Sequence, residues 1–190
     1  CLYVEPAQER SRNKKWRYIH MQKLNTRRST TAALIGGIYV ALGYFGNIFG
    51  LTYGPIQCRF SEALTVLPFL NPLATWGLFV GCILSNILSP YGPLDLIFGS
   101  LATLLAGLLT ARCKNKWLAP LPPVICNGIL VGGLISYQEV GFTAAFGGTF
   151  LFNAATVALG ELAVCYVLGL PLLAVMAKGK IFGDPSPALR

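Results

Sequence analysis

A few polar side chains stand inside stretches that are otherwise apolar: Arg59, Glu62, Asn86, Asp95, Asn127, Asn153 and Glu161. Carboxylates accept hydrogen bonds and attract cations, and amides both donate and accept. Gathered in a water-poor place, such groups suit a hydrophilic small molecule that carries donors or positive charge. A charge at the centre of a bilayer costs about 2.5–3.5 kcal/mol on insertion scales, so charges kept there mark function by default. Arg59 and Glu62 lie one helical turn apart and could simply pair with each other. Asp95 falls where a helix would begin, and the helix dipole favours an acid there. Asn127 and Asn153 could be interhelical hydrogen bonds. Glu161 has no cation within a helical turn in sequence, so it is protonated, paired from another helix, or facing a ligand.

Catalytic constellations are missing from the same stretches. The single histidine, His20, lies in none of them, and neither H-E-x-x-H nor G-x-S-x-G occurs. No glycine-rich loop ends in Lys-Ser or Lys-Thr, which excludes P-loop ATP hydrolysis. The cysteines (Cys1, Cys58, Cys82, Cys113, Cys126, Cys165) are scattered without a C-x-x-C pair. They read as small apolar side chains rather than metal ligands. The sequence calls for no catalytic residue, no metal and no cofactor.

Positioning the polar groups falls to a chain made for lipid. Apolar residues make up 54% and charged residues 12% of 190 residues, against about 25% charged in an ordinary soluble domain. Mean hydropathy is +0.60. The net charge of +8 would invite nucleic acid, but the basic residues are clustered. They fall before residue 29, between Arg112 and Lys116, and after residue 177, with Arg59 alone elsewhere. That is the positive-inside pattern, not a base-reading surface.

The chain is expected to be an all-α integral membrane bundle of six transmembrane helices, with both termini cytoplasmic. Residues 1–28 form a basic cytoplasmic segment, of which 1–20, ahead of Met21, could be an upstream extension. A basic run before an apolar one also describes a signal peptide. The length of the first apolar run and the lack of a small-x-small cleavage pattern favour an uncleaved span. The membrane domain covers 29–176. Its spans are expected at 29–50, 55–72, 73–88, 94–111, 118–136 and 149–175, and residues 177–190 form a cytoplasmic tail. The second span, bounded by Pro55 and Pro72 with Pro68 inside, is short for a full crossing and would be tilted or shielded by neighbours. Trp76 and Trp117 fall near inner boundaries, and Tyr53, Tyr91 and Tyr137 in outer loops, as an interfacial aromatic belt would place them. Ala33, Gly37 and Ala41, with Ala32 and Gly36 beside them, recur at the four-residue spacing that lets helices approach closely. They serve packing within the bundle or docking of a partner subunit.

Several long motifs resemble one family. They are N-T-R-R at 25–28, A-A-L-I at 32–35, G-P-I-Q-C-R-F-S-E-A-L-T-V-L-P-F-L at 54–70 and W-G-L-F-V-G-C-I-L-S-N at 76–86. S-P-Y-G-P-L-D-L-I-F-G-S-L-A-T at 89–103 and G-E-L-A-V-C-Y-V-L-G-L-P-L at 160–172 complete the set. From about Leu24 to Leu173 the chain resembles the QueT family, substrate-binding components of energy-coupling factor (ECF) transporters for queuosine precursors. The resemblance implies six membrane helices and a vitamin-like solute bound near the outer face. It also implies a membrane coupling subunit and two cytoplasmic ATPase subunits as partners. Small residues on the first helix would contact the coupling subunit, which maps onto Ala33, Gly37 and Ala41; glycine replaces alanine at Gly37, which would alter the contact.

The implied solute is 7-aminomethyl-7-deazaguanine or its nitrile relative. Its guanine edge would suit one carboxylate and its aminomethyl cation a second. Glu62, Asp95 and Glu161 are candidates for those roles, with Arg59 beside them. Asn86 and Asn127 could meet the ring carbonyl, and an outer-loop tyrosine could stack on the ring. Different readings are a binding component for another vitamin-like solute, or a self-sufficient, ion-driven secondary transporter using the same acids, although no inverted repeat is visible.

Overall fold

A computed structural model describes residues 29–50, 52, 57–87 and 89–179. The basic N-terminal run, Tyr53 and the tail beyond Gly179 lie outside them, so the expectations placed there are not addressed by the fold. Every regular element among the described residues is helical. Helix α1 spans Ser29–Ile48, and a 3-10 helix follows at Phe60–Phe69. Next come α2 at Ala74–Asn86, α3 at Pro93–Thr110 and α4 at Leu121–Val140. Helix α5, Phe146–Val164, runs through a π-helical turn, Cys165–Gly169, into α6, Leu170–Lys178.

Four stretches are long and apolar enough to cross a bilayer: Ser29–Ile48, Pro93–Thr110, Leu121–Val140 and the continuous Phe146–Lys178. At 1.5 Å per residue the last is about 50 Å long, well beyond a hydrocarbon core of about 30 Å. It is also longer than the 149–175 span expected. The fourth helix is displaced toward the C-terminus relative to 118–136, which brings Glu139 into its last turn rather than into a loop. The ends are set by local chemistry. Gly92, at φ 65°, takes a backbone that other residues resist, and Pro93 then opens α3 where its missing N–H costs nothing. Gly141, at φ 61°, ends α4.

The second expected span differs most from expectation. Between Arg59 and Leu70 the chain forms 10 residues of 3-10 helix, about 20 Å at 2.0 Å per residue. Pro68 cannot donate a backbone hydrogen bond, and the Thr65 hydroxyl engages the Glu62 carbonyl at 2.6 Å. Irregular backbone is tolerated at membrane depth only where protein covers it, and here every residue from Ser61 to Phe69 is buried. Leu64 and Leu67 pack with Ile35, Tyr39, Leu78 and Cys82 on one side. Val66 and Phe69 pack with Cys165 and Leu173 on the other. The long helices thus wrap a short central one. A second irregularity faces it: Pro171 cannot donate to the Val167 carbonyl, and the π turn takes up that defect.

Large apolar side chains point outward along the long helices, among them Leu34, Ile97, Ile129, Leu151, Leu159 and Val167. Polar ones point in. This inverts the ordinary arrangement and fits a lipid solvent.

Candidate functional site

Arg59 caps the head of the 3-10 helix without a side-chain capping bond. Its Nη2 donates instead to Asp95 Oδ2 of α3, at 3.1 Å. The i, i+3 pairing of Arg59 with Glu62 that the spacing allows is not the hydrogen-bonded one: Arg59, with extended backbone, bonds Asp95 of α3 and attracts Glu62 only through its charge. Asp95 sits in the first turn of α3, but its side chain is committed to neighbours and not to the helix end. Ser89 Oγ donates to the same Oδ2 at 2.6 Å, and Asn86 Nδ2 donates to the Asp95 carbonyl at 3.1 Å. Above this corner lies Tyr91, half-buried. Gln57 Nε2 donates to its hydroxyl at 3.4 Å, and Gln138 Nε2 donates to its carbonyl at 2.7 Å. Burial pushes the Tyr91 phenol up, so it remains neutral.

Deeper in the bundle lies a pair of acids. Glu62 Oε1 accepts the hydroxyl hydrogen of Tyr39, which reaches in from α1. Glu161 Oε1 accepts from Asn127 Nδ2 of α4 at 2.7 Å. Cys165 Sγ joins the two residues, 3.5 Å from the Glu62 carbonyl and 3.6 Å from Glu161 Oε2. Glu62, Glu161 and Asn127 are all buried. The hydrogen-bond partners of the two carboxylates are neutral, unlike those of Asp95. Buried polar atoms nearly always have partners, yet Glu62 Oε2, Asp95 Oδ1 and Ser100 Oγ have none from the protein. These are unsatisfied polar atoms in a low-dielectric interior, where a hydrogen bond to each would be worth more than in water.

Every sequence-derived candidate is thus placed. Arg59, Asn86 and Asp95 form one group, and Glu62, Asn127 and Glu161 the other. Asn153 makes the interhelical contact considered for it, donating to Ser136 Oγ at 3.1 Å and Glu139 Oε2 at 2.8 Å. Sequence reasoning missed Tyr39, Ser89 and Gly99. Tyr39 carried a usable signal, because a tyrosine midway along a span cannot belong to an interfacial belt and must find a partner for its hydroxyl. Gly99 carried none. A Cβ there would lie 2.5 Å from Asp95 Oδ1 and 2.8 Å from Asn86 Nδ2. Among the described residues, no group of three His, Cys, Asp or Glu side chains could hold a metal ion.

The QueT transporter family profile matches residues 29–178. The chain belongs to the QueT transporter family. Its similarity extends to an individual relative, the queuosine precursor transporter QueT of Lactococcus lactis subsp. cremoris (strain MG1363). The two are 31% identical over 156 residues, covering 77% of this chain and 90% of the relative. No solved structure matches. All the polar residues of the site fall inside the QueT match. So does the small-residue stripe of α1, which the fold divides in two. Ala32 and Gly36 turn inward against Gly77 and Gly81 of α2, where a Cβ at Gly81 would lie 2.8 Å from the Gly36 carbonyl oxygen. Ala33, Gly37 and Ala41 are exposed beside them, and Ala33 and Gly37 line one groove with Gly36, Gly77 and Gly81. A Cβ at Gly37 would meet nothing within 4 Å. As a family of transporters with four helices fit to span a bilayer, QueT describes a membrane protein.

Proposed function

We propose that the protein is the solute-binding subunit of an ECF-type importer, carrying a queuosine precursor and performing no catalysis itself. The single observation that carries this reading is the buried acid pair Glu62 and Glu161. Both carboxylates have neutral hydrogen-bond partners, and Glu62 Oε2 has no partner at all. Two such acids cost several kcal/mol to bury, and a guest rich in donors offsets that cost. A 7-deazaguanine bearing an aminomethyl group, or its nitrile relative, has the required donors. The Lactococcus relative's name, a queuosine precursor transporter, supports the same solute class.

In this reading the chain crosses the cell membrane six times, the 3-10 helix serving as the second crossing. Both termini are cytoplasmic, as is the loop holding Arg112, Lys114 and Lys116. Asn86, Tyr91 and Gln138 then fall toward the outer face, where the solute arrives. The exposed stripe Ala33, Gly37 and Ala41 docks a membrane coupling subunit, which in turn engages two cytoplasmic ATPases. Small side chains there suit close helix approach.

Mass spectrometry of the small molecule that copurifies with the protein tests the solute. Titration calorimetry in detergent tests the site, with binding expected to vanish in Glu161→Gln; unchanged affinity would remove Glu161 from it. Solute uptake by this chain alone in proteoliposomes, driven by a pH gradient without an ATPase, would instead establish a secondary transporter.

A further inference from the structure

The carboxylates of the acid pair differ in what they have left to offer. Glu161 engages Asn127 through Oε1, and its Oε2 has the Cys165 thiol 3.6 Å away. Glu62 has one oxygen taken and one open. Tyr39 donates to Oε1, while Oε2 is buried with no hydrogen bond. Tyr39 is only 1% exposed, so its hydroxyl has no water to turn to. Its ring packs with Ile35, Leu64, Leu78 and Cys82, which fixes the phenol in place. Glu62 is thereby held from one side and presents a single oxygen.

A two-pronged donor edge needs both oxygens of a carboxylate in one plane. A single ammonium needs only one, and its charge also neutralises an acid that no cation hydrogen-bonds. Asp95 differs, since Arg59 already faces it. We propose that Glu62, oriented by Tyr39, receives a cationic single-point donor of the alkylammonium class. Tyr39 is then a specificity-determining residue that selects positively charged solutes over neutral ones of the same shape. This inference rests on reading the acid pair as a solute site.

Calorimetry on the full chain in detergent, with 7-aminomethyl-7-deazaguanine and its nitrile relative as matched cationic and neutral probes, tests it. A hydrogen bond to a charged group contributes about 1.5–3 kcal/mol, so wild type should bind the amine at least ~10-fold more tightly than the nitrile. Glu62→Gln should remove that preference, weakening the amine at least ~10-fold and the nitrile by less, because only the amine uses the charge. Tyr39→Phe frees the carboxylate to rotate; it should weaken the amine by about 10-fold and the nitrile by less, narrowing the preference. A merely structural role for Tyr39 would weaken both probes alike, and that result overturns the inference. So would equal binding of the two by wild type, or an amine preference that survives in Glu62→Gln. In those cases the solute-binding reading still stands. Failure of wild type to bind either probe sinks both.

Discussion

The Arg59–Asp95 corner and the Glu62–Glu161 pair are built from similar side chains at similar burial, yet they are different objects. In the corner a cation faces an acid, Ser89 donates to the same carboxylate oxygen and Asn86 to the Asp95 backbone carbonyl, while Asp95 Oδ1 keeps no hydrogen bond. Such a pair is self-compensating, and removing one partner of a buried ion pair is costly. In the acid pair the partners are a phenol and an amide. Arg59 attracts both acids from a distance, but their hydrogen-bond partners are neutral, so the protein offsets their burial only in part. The comparison teaches that a buried ion pair is weak evidence of function, whereas two buried acids held by neutral donors ask for a ligand.

The contrast can be broken at the corner first. Asp95→Asn takes the carboxylate from a buried guanidinium and is expected to destabilise the protein by about 3–5 kcal/mol. Unfolding in mixed micelles by SDS titration measures this. A variant as stable as wild type would make the corner dispensable and blur the distinction. A smaller effect is expected at Gly99, where a methyl would push against Asp95 Oδ1 and Asn86 Nδ2. Gly99→Ala should cost about 1–3 kcal/mol, as overpacking does elsewhere. The same titration reads it, and a neutral outcome would show that the corner can shift without penalty. Outside both groups, Asn153 ties α5 to α4. Asn153→Ala should cost about 0.6 kcal/mol, the average for polar contacts between membrane helices. A loss as large as that at Asp95 would mean that Asn153 belongs to a functional network. The smallest stability effect belongs to the acid pair. Glu161→Gln keeps shape and hydrogen bonding while removing a buried charge, so stability should stay within about 1 kcal/mol of wild type or rise. Marked destabilisation would show that Glu161 is structural and erase the contrast.

Much of this was legible in the chain. Proline spacing and charge marked residues 55–72 as unusual before any fold was known. The residues named there and at Asn86, Asp95, Asn127 and Glu161 proved to be buried together in two groups. Pairing was less legible. Sequence proximity suggested Arg59 with Glu62, but an extended Arg59 points its side chain to a helix 36 residues away. Tyr39 and Glu62 are 23 residues apart, a distance along the chain that no periodicity connects. The four-residue stripe on α1 held a mixed message, since of the adjacent positions 36 and 37 one is buried against α2 and the other exposed.

Composition and patterning by themselves determined the solvent: too few charges exist to cover a water-soluble surface, so apolar helices and inward polar groups were forced. They determined the long helices too, because in lipid the backbone must satisfy its own hydrogen bonds. What only the tertiary structure decided was which charge is hydrogen-bonded to an opposite charge and which acids are left with neutral partners. That depends on side-chain directions from four separate helical segments meeting within a few ångströms. Local sequence fixes the direction of each segment's face but not its neighbour across the bundle.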